Sequence, residues 1–402
     1  GKIMRISNRI ARMKPSATSL MAAKAREKRS QGFKVISFTT GEPDYDSPSE
    51  AVIAARKAMD EGQTHYPPTS GIASLREAVG EYYRDHMGLI YDPSREIVVG
   101  TGAKQLIYEA LGALVNPGDE VIVFPPAWVS YVEQIRLFEG VPVEVETSDT
   151  NFIPDIERTE KAITPRTVAM IINSPNNPTG AIYPEECLRG LAELACKKGI
   201  MIINDEIYER LVFDQEECPQ ILKVCPEARN WVLNVNGVSK AFAMTGWRIG
   251  YALGPGKLIK AISDFQGHLT SGTSTISQWA SVGALVKSQE YCETMRKGFF
   301  ERRNLIVDLL SQIEYINFVK PQGAFYVFVD ISSCLKRENG IYLENDVAFC
   351  EGLLERKNVA MVPGTAFLSP GFVRISYSCS KEDICEGVKR FIEYLEEIHA
   401  VN

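Results

Sequence analysis

Three side chains close together in sequence, Ser239, Lys240 and Arg248, could do covalent chemistry as a group. They lie in residues 236–250 (NGVSKAFAMTGWRIG), just after a run with strand character at 231–235 (WVLNV). A lysine amine forms Schiff bases with carbonyls, best when partly desolvated and close to other cations. Arginine offers a rigid two-pronged donor that matches a phosphate, and Ser239 adds a hydroxyl. A lysine past a strand end, among small residues and near an anion-binding arginine, suggests a ligand that is both aldehyde and phosphate.

Other residues have types that call for a partner. The apolar run 199–204 is followed by Asp205, and a buried strand that ends in a carboxylate is costly unless the charge is met. Arg374 sits inside the apolar run 372–376 (FVRIS), an odd choice for a strand unless it is paired. Residues 100–105 (GTGAKQ) put small residues at a strand-to-helix turn, where backbone N–H groups and the positive helix end suit a phosphate. The pattern is G-x-G only. Gln105 stands where a dinucleotide fingerprint has a small residue, and the G-K-[ST] of a P-loop is missing. Lys104 falls in the first turn of that helix, where the dipole disfavours a cation, so a functional role is favoured. The loop 173–180 (NSPNNPTG) follows a buried apolar strand and is held by two X-Pro steps and a glycine. Gly41 opens a turn-rich loop, 41–46, and allows a close backbone approach.

The run around Lys240 resembles the cofactor-lysine segment of the fold-type-I, pyridoxal-phosphate-dependent aminotransferases of class I. Its wording, SKAFAMTGWRIG, is closest to the bacterial aspartate aminotransferase branch called subgroup Ib. The resemblance extends from residues 15–18 (PSAT) to Arg374, with several separated motifs in the family's order. It implies that Lys240 holds pyridoxal 5'-phosphate as an internal aldimine, with Ser239 beside it and Arg248 on the phosphate. It implies that the backbone at Gly102, Ala103 and Lys104 cups the same phosphate. Trp128 would stack on the pyridine ring, and Asn177 and Tyr208 would bond the ring hydroxyl. Asp205 would pair with the protonated ring nitrogen. Arg374, Asn177 and Gly41 would hold the substrate α-carboxylate, and Lys104 the distal carboxylate. Tyr66 would reach the partner subunit's cofactor phosphate, which implies a homodimer with shared active sites. One departure stands out: the alpha-type aspartate enzymes use an arginine beyond the cofactor lysine, and none occurs here between Arg248 and Arg296.

Elements must carry these residues to one place. Strand and helix patterns alternate from residue 96 to 270, the signature of a doubly wound sheet with ligands beyond the C-terminal strand ends. The expected fold class is therefore α/β, a fold-type-I transferase. It has a large, mostly parallel sheet domain and a smaller α+β domain built from both ends of the chain. The expected division is an arm and part of the small domain at 1–45, a large cofactor-binding domain at 46–295 and a small domain at 296–402. A chain of 402 residues exceeds what a single core usually supports. Among the elements, the spacing predicts helices over 20–31 and 75–87. Residues 47–50 (SPSE) read as a capping box before a helix that ends near Asp60.

The net charge of −7 excludes nucleic acid and anionic membrane as general partners. No apolar run is long enough to span a bilayer and no secretory leader is seen, so the setting is expected to be cytoplasmic. The nine cysteines form no CxxC pair and the four histidines show no ligand spacing, so no metal is expected. The expected activity is transamination between an L-amino acid, aspartate by the Lys104 argument, and a 2-oxo acid such as 2-oxoglutarate. The resemblance leaves other chemistry open: prephenate or aromatic transamination, or a C–S lyase or cyclopropane-carboxylate synthase on the same cofactor. A ligand-sensing regulator is a further alternative, but it would need a basic DNA-binding extension, which the first thirty or so residues are too short to hold.

Overall fold

The structure, a computed structural model, describes residues 1–335 and 344–400. Its strands are β1 Ile36–Ser37, β2 Ile97–Gly100, β3 Glu120–Val123, β4 Val141–Glu144, β5 Thr167–Asn173, β6 Met201–Asp205, β7 Val232–Gly237, β8 Gly250–Leu253, β9 Asn317–Phe318, β10 Tyr326–Asp330, β11 Val359–Ala360, β12 Val362–Pro363 and β13 Phe372–Ser376. Seven of them form one sheet in the order β2-β8-β7-β6-β5-β3-β4. The pairings of β4, β3, β5, β6 and β7 are parallel, while β8 runs antiparallel to both β7 and β2. The sheet is thus the mostly parallel one expected from the strand–helix alternation.

The apolar runs explain why the sheet is covered on both faces. In β5, Met170 and Ile172 join one core cluster and Ala169 and Ile171 the other. Ile202 and Ile203 of β6 divide the same way. A strand's period of two therefore fills two cores at once. Helices Ala103–Leu114 and Gly256–Gly267 supply one face through Leu106, Ile107, Leu258 and Ile262. Helices Ala73–Tyr82, Glu185–Lys198 and Thr275–Lys287 supply the other through Leu75, Leu191 and Ala284.

A second, antiparallel sheet has the order β12-β13-β10-β9, with Phe328 opposite Arg374. Near it β1 pairs with β11 in parallel, Ile36 opposite Val359. A third core joins Met21 and Phe38 from the N-terminal part to Phe299, Ile306, Val327, Ile384 and Phe391. These come from helices Ala17–Ser30, Gln289–Leu310 and Lys381–Ala400, from β10 and from the residue that follows β1. Both ends of the chain thus meet in one core.

Local details differ from the sequence expectations. A short helix, Asn8–Ala11, precedes the one predicted over 20–31, which starts at Ala17 rather than 20, because the Ser16 hydroxyl accepts the Ser19 N–H at 3.3 Å and caps it. The helix predicted over 75–87 is α-helical only from Ala73 to Tyr82, and Tyr83–Met87 follow as a π-helical turn. The capping box at 47–50 does not form. Pro48 occupies the cap position of helix Ser49–Asp60, with no side-chain cap. The Ser47 hydroxyl instead accepts the indole N–H of Trp247 at 2.9 Å. A half-buried indole donor needs an acceptor, and that tertiary bond takes the hydroxyl from the helix end.

Candidate active site

The large sheet's strand ends converge on a cleft of about 410 Å³. β2 leads into Thr101-Gly102-Ala103, β3 toward Trp128, β5 into Asn177, β6 ends at Asp205 just before Tyr208, and β7 leads into Ser239 and Lys240. Ligands in open α/β sheets bind beyond these ends.

The turn at Gly102 shows why small residues are needed there. Gly102 has φ +85° at the N-terminus of helix Ala103–Leu114, and a Cβ on it would run into the Arg248 guanidinium. Gly250 faces the same turn, and its Cβ would lie 2.6 Å from backbone atoms of Gly102 and Ala103. Two missing side chains thus bring a helix N-terminus and an arginine together, a built anion cradle. Arg248 itself has φ +57°, and its Nη1 donates to the Thr245 carbonyl at 3.0 Å. Thr101 and Thr273 share a hydrogen bond of 3.0 Å beside it.

Lys240 is half-buried, and its Nζ donates to the Gly41 carbonyl. Burial pushes its amine down to about 8. The charge of Glu42 opposes that shift, while Arg374 and Arg248 add to it. The amine is therefore held far closer to its nucleophilic form than an exposed lysine.

Asp205 is buried, and the Tyr131 hydroxyl donates to its Oδ2 at 2.5 Å. Burial pushes its carboxyl up to about 6, against the hydrogen bonds of Tyr131 and the Ile207 N–H. Tyr208 and Tyr326 share a hydroxyl hydrogen bond of 2.7 Å. Arg374 is buried; it donates to Asn177 Oδ1 at 2.9 Å and to the Thr39 carbonyl at 2.8 Å. Its guanidinium stacks over Tyr326 at 4.4 Å, and its Nε has no hydrogen-bond partner among the described residues. Lys104 Nζ lies 4.6 Å from the Trp128 ring centre, and burial, then Arg248, lowers its pKa.

Gly41, Ala103, Lys104, Trp128, Asn177, Asp205, Tyr208, Ser239, Lys240, Arg248 and Arg374 all line this one cleft. Gly102 lies beneath Arg248 rather than in the lining. Tyr66 is elsewhere: it is 91% exposed and lines a separate surface depression with Thr270 and residues 272–276. The sequence reading missed Ser16, Thr18, Ser19, Asn173 and Tyr326. Tyr131 also lines the cleft and was not singled out. Tyr131 lies one helical turn beyond Trp128, a spacing that could have marked it as a second inward residue. The N-terminal serines and threonine carry no such signal, since tertiary packing alone brings them in.

The unmatched groups define what fits. A glycine-lined cradle with Arg248 suits a phosphate, a buried carboxylate suits a protonated ring nitrogen, and a depressed lysine amine suits an aldehyde. Arg374, buried with a nitrogen unpartnered among the described residues, suits a carboxylate. Fold and site together are those of an enzyme that uses pyridoxal phosphate on amino or 2-oxo acids. The profile of the family described as aminotransferase class I and II matches residues 34–391. The chain belongs to that family and is a pyridoxal-phosphate-dependent aminotransferase of the bacterial aspartate aminotransferase type. It is 45% identical over 394 residues to the aspartate/prephenate aminotransferase of Thermus thermophilus, covering 97% of this chain and 98% of that one. It is 42% identical to the aspartate aminotransferase of Geobacillus stearothermophilus, with 98% and 99% covered. A structure of Thermus thermophilus aspartate aminotransferase with maleate superposes with a TM-score of 0.91 at 44% identity, over 98% of this chain and 100% of that one.

Proposed function

We propose that the chain transfers the amino group between L-aspartate and 2-oxoglutarate, in two half-reactions through one site. The observation that carries the substrate class is the pair of cations in one cleft: Arg374 at one side and Lys104, beside Trp128, at another. Two cations ask for a dicarboxylate. When bound, pyridoxal phosphate supplies an electron sink for the substrate carbon. The residues do the rest. Gly102, Ala103, Ser239 and Arg248 hold the phosphate. Asp205, steadied by Tyr131, holds the ring nitrogen's proton. Tyr208 and Asn177 face the ring hydroxyl, and Arg374, Asn177 and Gly41 orient the α-carboxylate. Lys240 holds the cofactor, then takes the Cα proton of the amino acid and returns it as general base and acid.

The proposal extends to organisation. Residues 46–295 hold the cofactor, and residues 1–45 and 296–402 clamp the substrate against it. The enzyme works as a homodimer with shared sites, supported by the exposed Tyr66 beside Thr270 and residues 272–276. A cytoplasmic setting is supported by the spacing of the nine cysteines, none of which falls in a CxxC pair. Among the described residues, no helix is long and apolar enough to cross a membrane.

The test is the visible absorbance of the cofactor-loaded protein before and after L-aspartate, with Lys240→Ala as control. The expected result is a Lys240-dependent band that aspartate converts to the pyridoxamine form. A band that ignores aspartate would overturn the donor, and the absence of any Lys240-dependent band would overturn the role of the lysine. Prephenate is the second reading, favoured because the Thermus thermophilus relative carries both substrates in its name.

A further inference from the structure

A second buried polar cluster lies next to the cleft without lining it. Its centre is Glu206, the residue after Asp205, which is only 4% exposed. The Tyr83 hydroxyl donates to Glu206 Oε1 at 2.5 Å. The side-chain amide of Gln220 donates to Oε2 at 2.9 Å, and that of Asn204 approaches it at 3.4 Å. Tyr83 also accepts from Asn236 Nδ2 at 3.2 Å, and the Gly237 N–H donates to Asn236 Oδ1 at 2.8 Å. Asn204 bonds Asn234 Oδ1 at 2.8 Å, and Asn234 in turn bonds the Tyr91 hydroxyl at 3.1 Å. All these side chains are buried, and a second buried carboxyl, Glu209, which accepts from the Tyr82 hydroxyl, lies beside them.

Such a cluster is expensive where leucine or valine would pack, and buried polar networks of this kind fix one arrangement of the elements they join. Here the joined elements are the ends of two neighbouring strands. We infer that Glu206 is a positioning residue: through Tyr83 it ties the end of β6, which carries Asp205, to the end of β7, which leads into Lys240. The distance between the carboxylate at the ring nitrogen and the lysine at the aldehyde is then set from behind the sheet. This rests on the roles given above to Asp205 and Lys240.

The hydrogen-bond count makes Glu206 hard to replace. Every group that approaches its carboxylate is a donor. A glutamine there has one acceptor and two donors of its own. With its oxygen turned to the two amides it points its own amide at Tyr83, whose hydroxyl proton then has no acceptor; turned the other way, it sets its amide against those of Gln220 and Asn204. Tyr83→Phe is the milder probe, because it removes only the bridging hydroxyl and keeps the ring's packing.

The experiment compares wild-type, Tyr83→Phe and Glu206→Gln holoenzymes by cofactor absorbance and circular dichroism, kcat, KM and urea midpoint. The expected result is a changed cofactor band and a kcat lower by about three- to thirtyfold at little-changed KM in both variants. The double variant should fall no further than Glu206→Gln alone, since both changes cut the same tie. If both variants lost stability but kept the wild-type band and kcat, the cluster would be structural only and the inference overturned. Should Glu206→Gln not fold, Tyr83→Phe decides alone by the same two readouts. A wild-type holoenzyme without a Lys240-dependent band is a separate failure, one that overturns the role of Lys240 and this inference with it.

Discussion

Single residues here are tuned by what surrounds them, and the tuning can be read out. Burial takes the Lys240 amine down to about 8, with Glu42 the main opposing charge. Burial disfavours the cation, so the neutral amine appears at lower pH than in free lysine. Capture of added pyridoxal phosphate by the cofactor-free protein should therefore rise with pH and level off above about 8. Glu42→Gln should move that midpoint lower, because the removed charge favoured the cation. A midpoint near that of free lysine would refute the account. Tyr131 invites the second test. It is the side chain that donates to Asp205, so Tyr131→Phe should push the Asp205 carboxyl above about 6. The carboxylate would then be partly protonated at neutral pH and hold the ring nitrogen less well. We expect kcat to fall by ten- to a hundredfold, about 1–3 kcal/mol, with KM little changed. An unchanged kcat would leave Tyr131 a packing residue.

At the scale of elements, helix Ala103–Leu114 carries a liability that the site does not need. Glu109 is fully buried, and neither carboxyl oxygen has a hydrogen-bond partner among the described residues. Burial pushes its carboxyl up from 4.5 to about 8. The folded state thus keeps a proton that the unfolded chain releases. Its stabilising contribution is whole below 4.5, is lost as pH rises toward 8, and stays lost above. Glu109→Met should raise the urea midpoint more at pH 9 than at pH 5.5, by about 3 kcal/mol in stability. An equal gain at both pH values would show that the carboxyl does not titrate in this range. Elements also show what could be read in advance. The strand-end motifs were legible because their chemistry constrains residue type: a lysine, an aspartate and a glycine turn stand where the sheet must end. Tyr326, Ser16 and Thr18 were not, because only tertiary packing brings β10 and the N-terminal helix to the cleft. The capping box at 47–50 misled for the same reason, since a distant indole competes for Ser47 and no local pattern reports it.

The whole molecule poses the question of whether one chain completes its own site. Tyr66 is 91% exposed and absent from its own cleft. Its loop is tied to residues 270–276 by a 2.8 Å hydrogen bond from Thr275 Oγ1 to the His65 carbonyl. Within that stretch, Thr273 reaches the Arg248 carbonyl at 3.5 Å and Thr101 at 3.0 Å. The exposed surface that carries Tyr66 is thus linked through Thr273 to the cradle at Arg248. Under two-fold symmetry a partner's tyrosine would arrive at each cradle reciprocally. Subunit mixing tests this directly. Lys240→Ala should be inactive, and Tyr66→Ala should bind pyridoxal phosphate weakly and turn over slowly. In a mixed dimer, the site whose lysine is intact receives Tyr66 from the other subunit and is whole, while the second site holds both lesions. Unfolding and refolding the two variants together should restore roughly a quarter of the wild-type sites, since about half the dimers are mixed and each has one whole site. The readout is activity at limiting cofactor, set against each variant refolded alone. Recovery no greater than the sum of the two would mean that Tyr66 serves its own subunit or none, and that the chain does not share its sites in this way.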